Sequence, residues 1–474
     1  MSGTIDLYAR ENEQSSPTIS PMADSPPIVV VGEEIINSPA MSRHTSIRSR
    51  SSSSSSSAGG SCTSTVEYDQ EPWSQFSQRV EKLCDTLWPP PKTMRHVIST
   101  CQAAKHLRSI KFLEHFVPSP QVPLLERLHG GGYNRIVGIT LPSSCGGDKL
   151  ILRVPRENRT RQDREVAVLN YVRSNTPIPV PTVIAKDFSC NNSLEKPYVL
   201  QRRVPGCDLE LIWNDINHSQ RCDVAREVGK VVNSLLSLES PYHGILEATI
   251  DGTATIQLPH IVPFELKGCD GEIIDESESQ TYMDYGSTLS FFETQFKRWR
   301  AVACEGTILI EVFDAMLEVV HEMDASGLFA SLNCLCHVDL HPRNIMVEAE
   351  TDASLKVTAV LDWDEAVFAP KQLNCEPPWW LWDDADYHLD ENGLSPWPYE
   401  MEGANDLPST PEKQELKRIF EEHAGPEYTR LAYDKPSRLI RCLFRLATIG
   451  LQGNQEISAG ERVVREWKEL HGSL

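Results

Sequence analysis

Between residues 73 and 87 apolar side chains recur at helical spacing. Phe76, Val80, Leu83, Cys84 and Leu87 share one face, and Pro89-Pro90-Pro91 ends the run. Residues 93–116 predict one or two more helices of the same leading segment. From residue 122 the texture changes to short strands: 123–128, 135–141 and 149–154, with a hairpin turn at Cys145-Gly146-Gly147-Asp148. A helix over 161–174 and an extended, proline-punctuated connector over 176–181 lead to strands at 183–188 and 197–203, closed by Pro205-Gly206. Beyond that point the pattern is helical at 223–238, 285–302, 307–323, 411–423, 437–451 and 458–470, with a strand pair or loop within 251–280. Two apolar strands, 345–347 and 357–361, flank a polar loop at 350–354. A strand-rich part followed by a helix-rich part predicts an α+β architecture.

Residues 1–70 break the pattern. Serine dominates, with an unbroken run from Ser51 to Ser57, and aromatics are nearly absent. Such a segment buries too little apolar surface to offset its ordering entropy, so a disordered tail is expected. The expected organisation is therefore a tail over 1–70, a leading helical segment over 71–118, a first lobe over 119–206 and a second lobe over 207–474.

Composition narrows the function classes. The net charge of −22 argues against nucleic acid as a partner, since phosphate binding needs a basic face. The 13 cysteines show no paired zinc spacing; Cys334 and Cys336 stand close, in an apolar strand-like run, without a matching second pair. Reduced thiols of an intracellular, cytoplasmic protein are expected. Asp6, Glu11 and Glu13 disfavour a targeting peptide, and no apolar run approaches the roughly 20 residues that span a bilayer, so no membrane role is expected.

One run carries chemistry: Cys336-His337-Val338-Asp339-Leu340-His341-Pro342-Arg343-Asn344-Ile345, followed by Val360-Leu361-Asp362-Trp363-Asp364. His-x-Asp-x-x-x-x-Asn, then an apolar strand and an aspartate, is the set phosphoryl transfer needs. One carboxylate orients the attacking hydroxyl, while an amide oxygen and a second carboxylate hold Mg²⁺. A tight hairpin between the two apolar strands would bring Asn344 and Asp362 together.

His337 to Ile345 with Leu361-Asp362-Trp363-Asp364 resembles the aminoglycoside phosphotransferase / choline kinase-like family, in a fungal-type form with a long serine-rich tail. The second histidine before proline, and Asp-Trp-Asp in place of Asp-Phe-Gly, separate this pattern from protein kinases. Supporting matches are the glycine turn with Asn134, Leu150-Ile151-Leu152-Arg153-Val154-Pro155, Arg164-Glu165, Ile178-Pro179-Val180-Pro181 and Tyr198 to Gly206. The resemblance covers about residues 122–370, and more loosely runs to 455.

It implies a protein kinase-like two-lobe fold: a small lobe with a five-stranded antiparallel sheet and a helix, a larger mainly helical lobe, and ATP in the cleft. Asp339 is then the catalytic base, and Asn344 and Asp362 are the metal ligands. Gly130, Gly131, Gly132, Asn134, Arg153, Glu165 and Gln201 are the nucleotide-side residues. Arg153 stands where kinases place a phosphate-binding lysine, with Glu165 as its partner; a solvent-facing strand arginine is the alternative. His337 is a structural hydrogen-bonding residue. His341 and Asp364 are candidates for substrate contact or for support of the loop.

Past Asp364 the chain is acidic and aromatic, with Lys371 its lone cation up to Asp406. Trp379, Trp380, Trp382 and Asp383 suit a cationic acceptor, aminoglycoside-like or an amino alcohol; packing of the tryptophans on the core is the equal alternative. The expected activity is ATP-dependent, Mg²⁺-assisted phosphorylation of a small-molecule hydroxyl. Val338 and Arg343, where the family favours glycine, and Arg153 remove no ligand. They keep open a catalytically weak or inactive kinase-like nucleotide-binding or regulatory protein.

Overall fold

The computed structural model describes residues 29–30, 71–89, 123–128, 134–142, 147–156, 162–248, 254–257, 287–303, 306–382 and 407–472. The described residues divide into two compact units, one of those up to 160 together with 184–203, the other of those in 161–183 and from 204 onward. The helix expected at 161–174 thus groups with the second unit.

The first unit is built on a sheet whose five main strands are β2 (Leu124–Arg127), β3 (Asn134–Thr140), β4 (Lys149–Pro155), β5 (Val183–Asp187) and β6 (Tyr198–Arg202). The order is β2-β3-β4-β6-β5, with the two-residue strand β1 (Val29–Val30) parallel to β2 at the edge. Strand alternation gives the sheet two unlike faces. Val137, Ile139, Leu150, Leu152, Val154, Tyr198 and Leu200 point to one side, where they form a core with Phe76, Val80, Leu83 and Cys84 of α1 (Trp73–Leu87). That helix has the bounds its apolar spacing predicts. Arg79 ties it down through Glu71 at 2.6 Å and Glu195 at 2.9 Å. The opposite face carries Arg153, in register with Ile136 and Val199, and Gln201, in register with Ile151.

The second unit is mainly helical. The helices are α2 (Gln162–Asn175), α3 (Leu209–Ile212), α4 (His218–Leu236), α5 (Thr288–Val302), α6 (Ile308–Ala325), α7 (Pro411–Ala432), α8 (Lys435–Ile449) and α9 (Asn454–Leu470). α4 starts earlier than its apolar pattern suggests because Asn217 and Gln220 form a capping box. α7 runs past the expected stop at His423 because Gly425, at φ 90°, kinks the chain and Pro426 opens a second helical stretch.

This unit also holds the antiparallel pair β9 (Ile245–Ala248) and β10 (Ala254–Gln257), and two further small sheets carry the motif. β12 (Ile345–Thr351) and β13 (Ser354–Val360) form the expected hairpin, joined on β12 by β7 (Cys207–Asp208). Gly206, at φ 90°, makes this possible: a Cβ there would lie 2.0 Å from the Val347 carbonyl oxygen. The fully buried β11 (Asn333–Cys336) pairs antiparallel with β14 (Val367–Pro370) and, on its other side, with β8 (Glu239–Ser240). An antiparallel sheet unit with a mainly helical second unit is the α+β, kinase-like fold. The eight described cysteines are all free thiols. Among the described residues no helix is long and apolar enough to cross a membrane.

Candidate active site

β11 delivers the chain to His337, and β12 leaves from Asn344, so the motif is a loop hung between two strands. His337 is buried and anchors the loop from below. Its Nε2–H donates to the Leu361 carbonyl oxygen at 2.8 Å, and Nδ1 accepts the Asp339 backbone N–H at 3.3 Å. Both ring nitrogens are therefore used by a neutral imidazole, and burial pushes the group down to about 4. The ring also packs on Trp363, whose buried indole donates to the Val360 carbonyl at 3.0 Å.

Above this base the backbone is unusual. Val338 has φ 68° and Asp362 has φ 63°, both in the left-handed region, and Val338 is half exposed. For a β-branched residue that conformation costs about 1–3 kcal/mol and persists only where neighbours impose it. A glycine at this position would have no such penalty.

Asp339 is held on both carboxylate oxygens. Arg343 donates to Oδ1 at 2.6 Å, and Asn344 Nδ2 donates to Oδ2 at 2.9 Å and to the Asp339 carbonyl at 2.9 Å. His341 Nε2 lies 3.5 Å from Oδ1. Burial lowers the His341 pKa, against the raising effect of Asp339. With its nitrogen committed to Asp339, the buried Asn344 side chain offers its Oδ1 as the remaining acceptor. The hairpin brings the second aspartate alongside, since Leu361 N–H donates to the Asn344 carbonyl at 2.8 Å and Asp362 follows directly. Glu365 stands three residues further along, and burial, followed by the charges of Asp339, Asp362 and Asp364, raises its pKa. Sequence reading missed Glu365, although it extends the Asp362-Trp363-Asp364 run by one carboxylate.

The other sequence candidates divide. On the first unit, Arg153 and Gln201 lie on the sheet face away from α1. Gln201 is 3% exposed, and its Nε2 has no hydrogen-bond partner among the described residues. Asn134 is buried at the start of β3. Glu165 is buried near the start of α2, in the second unit. Gly130, Gly131, Gly132 and Asp383 lie outside the described residues.

The tryptophans after the motif also separate. Trp382 is buried against Phe420, with their ring centroids 5.7 Å apart, which is the core packing weighed as the alternative for these tryptophans. Trp380 remains half-buried, edge-on to Trp213 at 5.5 Å. Trp379 is also half-buried, in the same short turn. Lys371 is buried and committed to Glu239 at 2.6 Å and Glu427 at 3.0 Å. Sequence reading also missed Glu210 and Glu376, two exposed carboxylates whose charges are felt at His341.

Parts of the chain are similar to known proteins. The chain is 24% identical over 169 residues to a subtelomeric hrmA-associated cluster protein of Aspergillus fumigatus, covering 35% of this chain and 33% of that protein. It is 26% identical over 150 residues to altered inheritance of mitochondria protein 9, mitochondrial, of Candida albicans, covering 29% of this chain and 23% of that protein. The match thus spans a third or less of these relatives' length. Among solved structures, aminoglycoside phosphotransferase APH(4)-Ia aligns at 18% identity over 78% of this chain and 98% of that one, with a TM-score of 0.40. A thermostable mutant of that enzyme, in ternary complex with AMP-PNP and hygromycin B, aligns at 17% over 77% and 97%, with a TM-score of 0.39. The family model described as "Phosphotransferase enzyme family" matches residues 125–370, which include the sheet strands β3 to β6, the His337–Asn344 loop and β14. The chain belongs to the phosphotransferase enzyme family.

Proposed function

We propose that the protein transfers the γ-phosphoryl group of ATP to a hydroxyl of a small cationic molecule, with Asp339 as the catalytic base. The observation that carries this reading is the arrangement of Asp339 and Asn344. Arg343 and Asn344 grip both carboxylate oxygens of Asp339, and with its nitrogen so used Asn344 keeps its side-chain oxygen as a hard donor just ahead of the strand whose partner leads into Asp362. Asp339 accepts or orients the hydroxyl proton of the acceptor. Phosphoryl transfer passes through a loose transition state, so a rigidly aimed weak base is sufficient. Arg343 is a positioning residue that keeps the carboxylate directed.

Asn344 Oδ1 and the Asp362 carboxylate form the all-oxygen donor set that Mg²⁺ prefers, and these two residues would hold it. When bound, the ion neutralises charge on the nucleotide phosphates. Arg153 and Gln201 on the first unit are the nucleotide-side groups, Arg153 for phosphate and Gln201 for a polar edge that would answer its buried amide.

The acceptor class follows from charge. Glu210 and Glu376 act on His341, Asp364 and Glu365 flank the metal aspartate, and Trp213 and Trp380 supply aromatic surface. Lys371, the stretch's lone cation up to Asp406, is turned into the core. Such surroundings favour an amine or amino sugar over an anion.

The test is transfer from γ-labelled ATP, with Mg²⁺, to a panel of amino alcohols, amino sugars, neutral sugars and amino acids. Transfer to a cationic member, abolished by EDTA and by Asp339→Ala, is expected. Equal turnover by wild type and Asp339→Ala would sink the assignment of the base. Transfer to neutral sugars alone would sink the acceptor class.

A further inference from the structure

Away from the phosphotransfer loop, three side chains of different chemistry converge on one point. His218 opens α4 and Cys222 lies one turn later on the same helix, while Glu415 projects from α7. His218 Nε2 is 2.9 Å from Glu415 Oε2 and 3.5 Å from Cys222 Sγ, and the donor atoms of all three lie within 4.8 Å of one another. A catalytic Cys–His–carboxylate array would place thiol and carboxylate on opposite ring nitrogens, so that one orients the ring and the other is deprotonated. Here both meet the same nitrogen. That geometry serves a cation at the centre and not a proton relay.

We propose that His218, Cys222 and Glu415 form a binding site for a divalent metal ion of the Zn²⁺ class, with a fourth position open to solvent. Zn²⁺ holds nitrogen, sulfur and oxygen donors at about 2.0–2.3 Å, which sets donors about 3.2–3.8 Å apart in a tetrahedron. The His218–Cys222 separation of 3.5 Å falls in that range, and the His218–Glu415 contact at 2.9 Å needs a small opening. Nearby cations do not compete for the site's carboxylate: Arg226 pairs with Asp223 at 2.6 Å and Arg418 with Glu422 at 3.0 Å. Binding replaces the thiol S–H bond with a metal–sulfur bond and releases the proton to solvent. The bound ion would fasten the start of α4 to α7.

Full-length protein titrated with Co²⁺ should develop a near-ultraviolet sulfur-to-cobalt charge-transfer band that saturates at one thiolate-bound equivalent and that Zn²⁺ displaces. Cys222→Ser should lose the band, and His218→Ala should bind at least about tenfold more weakly. A second measurement needs no variant: Zn²⁺ should slow alkylation of Cys222 and leave the exposed Cys190 unaffected. No band, a band that persists in Cys222→Ser, or equal alkylation of Cys222 with and without Zn²⁺ would overturn the proposal.

Discussion

Two buried histidines of the second unit show how one residue type serves opposite ends. His337 uses both ring nitrogens, one on the Leu361 carbonyl and one on the Asp339 N–H, and so fixes the loop above it. His243 is equally buried, stacked on Phe291 with centroids 4.2 Å apart, yet neither nitrogen has a hydrogen-bond partner among the described residues. Burial holds both rings neutral, pushing His337 down to about 4 and His243 to about 3. The first ring is a structural clamp whose polarity is used. The second fills space, and its polarity is a liability. The left-handed backbone at Val338 and Asp362 occurs beside the clamped ring, where hydrogen bonds and Trp363 packing can impose it.

The comparison can be broken at several points. Trp363→Ala removes the fully buried ring beneath His337 and should cost about 3–5 kcal/mol of stability, read by chemical denaturation. A loss under about 1 kcal/mol would show that the loop is not held from below. The pH dependence comes next. Both histidines have folded pKa values below the unfolded value of about 6.5. The unfolded chain therefore takes up protons first as pH falls, and each ring's contribution, fully present above about 6.5, is lost at about 1.4 kcal/mol per pH unit down to about 4 for His337 and 3 for His243. His243→Phe should remove about one proton from that slope between pH 6 and 4, and leave stability at pH 7.5 unchanged or raised. An unchanged slope would contradict the buried neutral ring. The smallest effect is expected from Val338→Gly. Relief of the left-handed strain, less the chain entropy of glycine, should raise stability by about 1 kcal/mol with activity retained. A drop in activity would mean that the valine has a part in the chemistry.

The sequence pattern made much of this legible for reasons visible in particular residues. α1 was readable because one apolar stripe ends at three prolines, and the β12–β13 hairpin because two apolar runs flank a polar turn. The grip on Asp339 was legible as to residue types but not as to partners: that Arg343 and Asn344 divide its two oxygens depends on φ angles at Val338 that no periodicity encodes. β11 and β14 are buried throughout and show no alternation, so the pairing that carries the chain into His337 had no period-two signal. The metal-like triad was hidden for a different reason. Two of its members are neighbours on one helix, but Glu415 arrives from far along the chain through α4–α7 packing.

The central claim is that the gripped carboxylate of Asp339 acts on the acceptor's proton. Asp339→Asn nearly preserves size and keeps an oxygen for Arg343, so it removes charge and basicity with little change in shape. Single-turnover transfer from γ-labelled ATP should fall by about 10²–10⁴-fold, with the melting temperature within about 2 °C of wild type. Transfer within threefold of wild type in a folded Asp339→Asn protein would contradict the account.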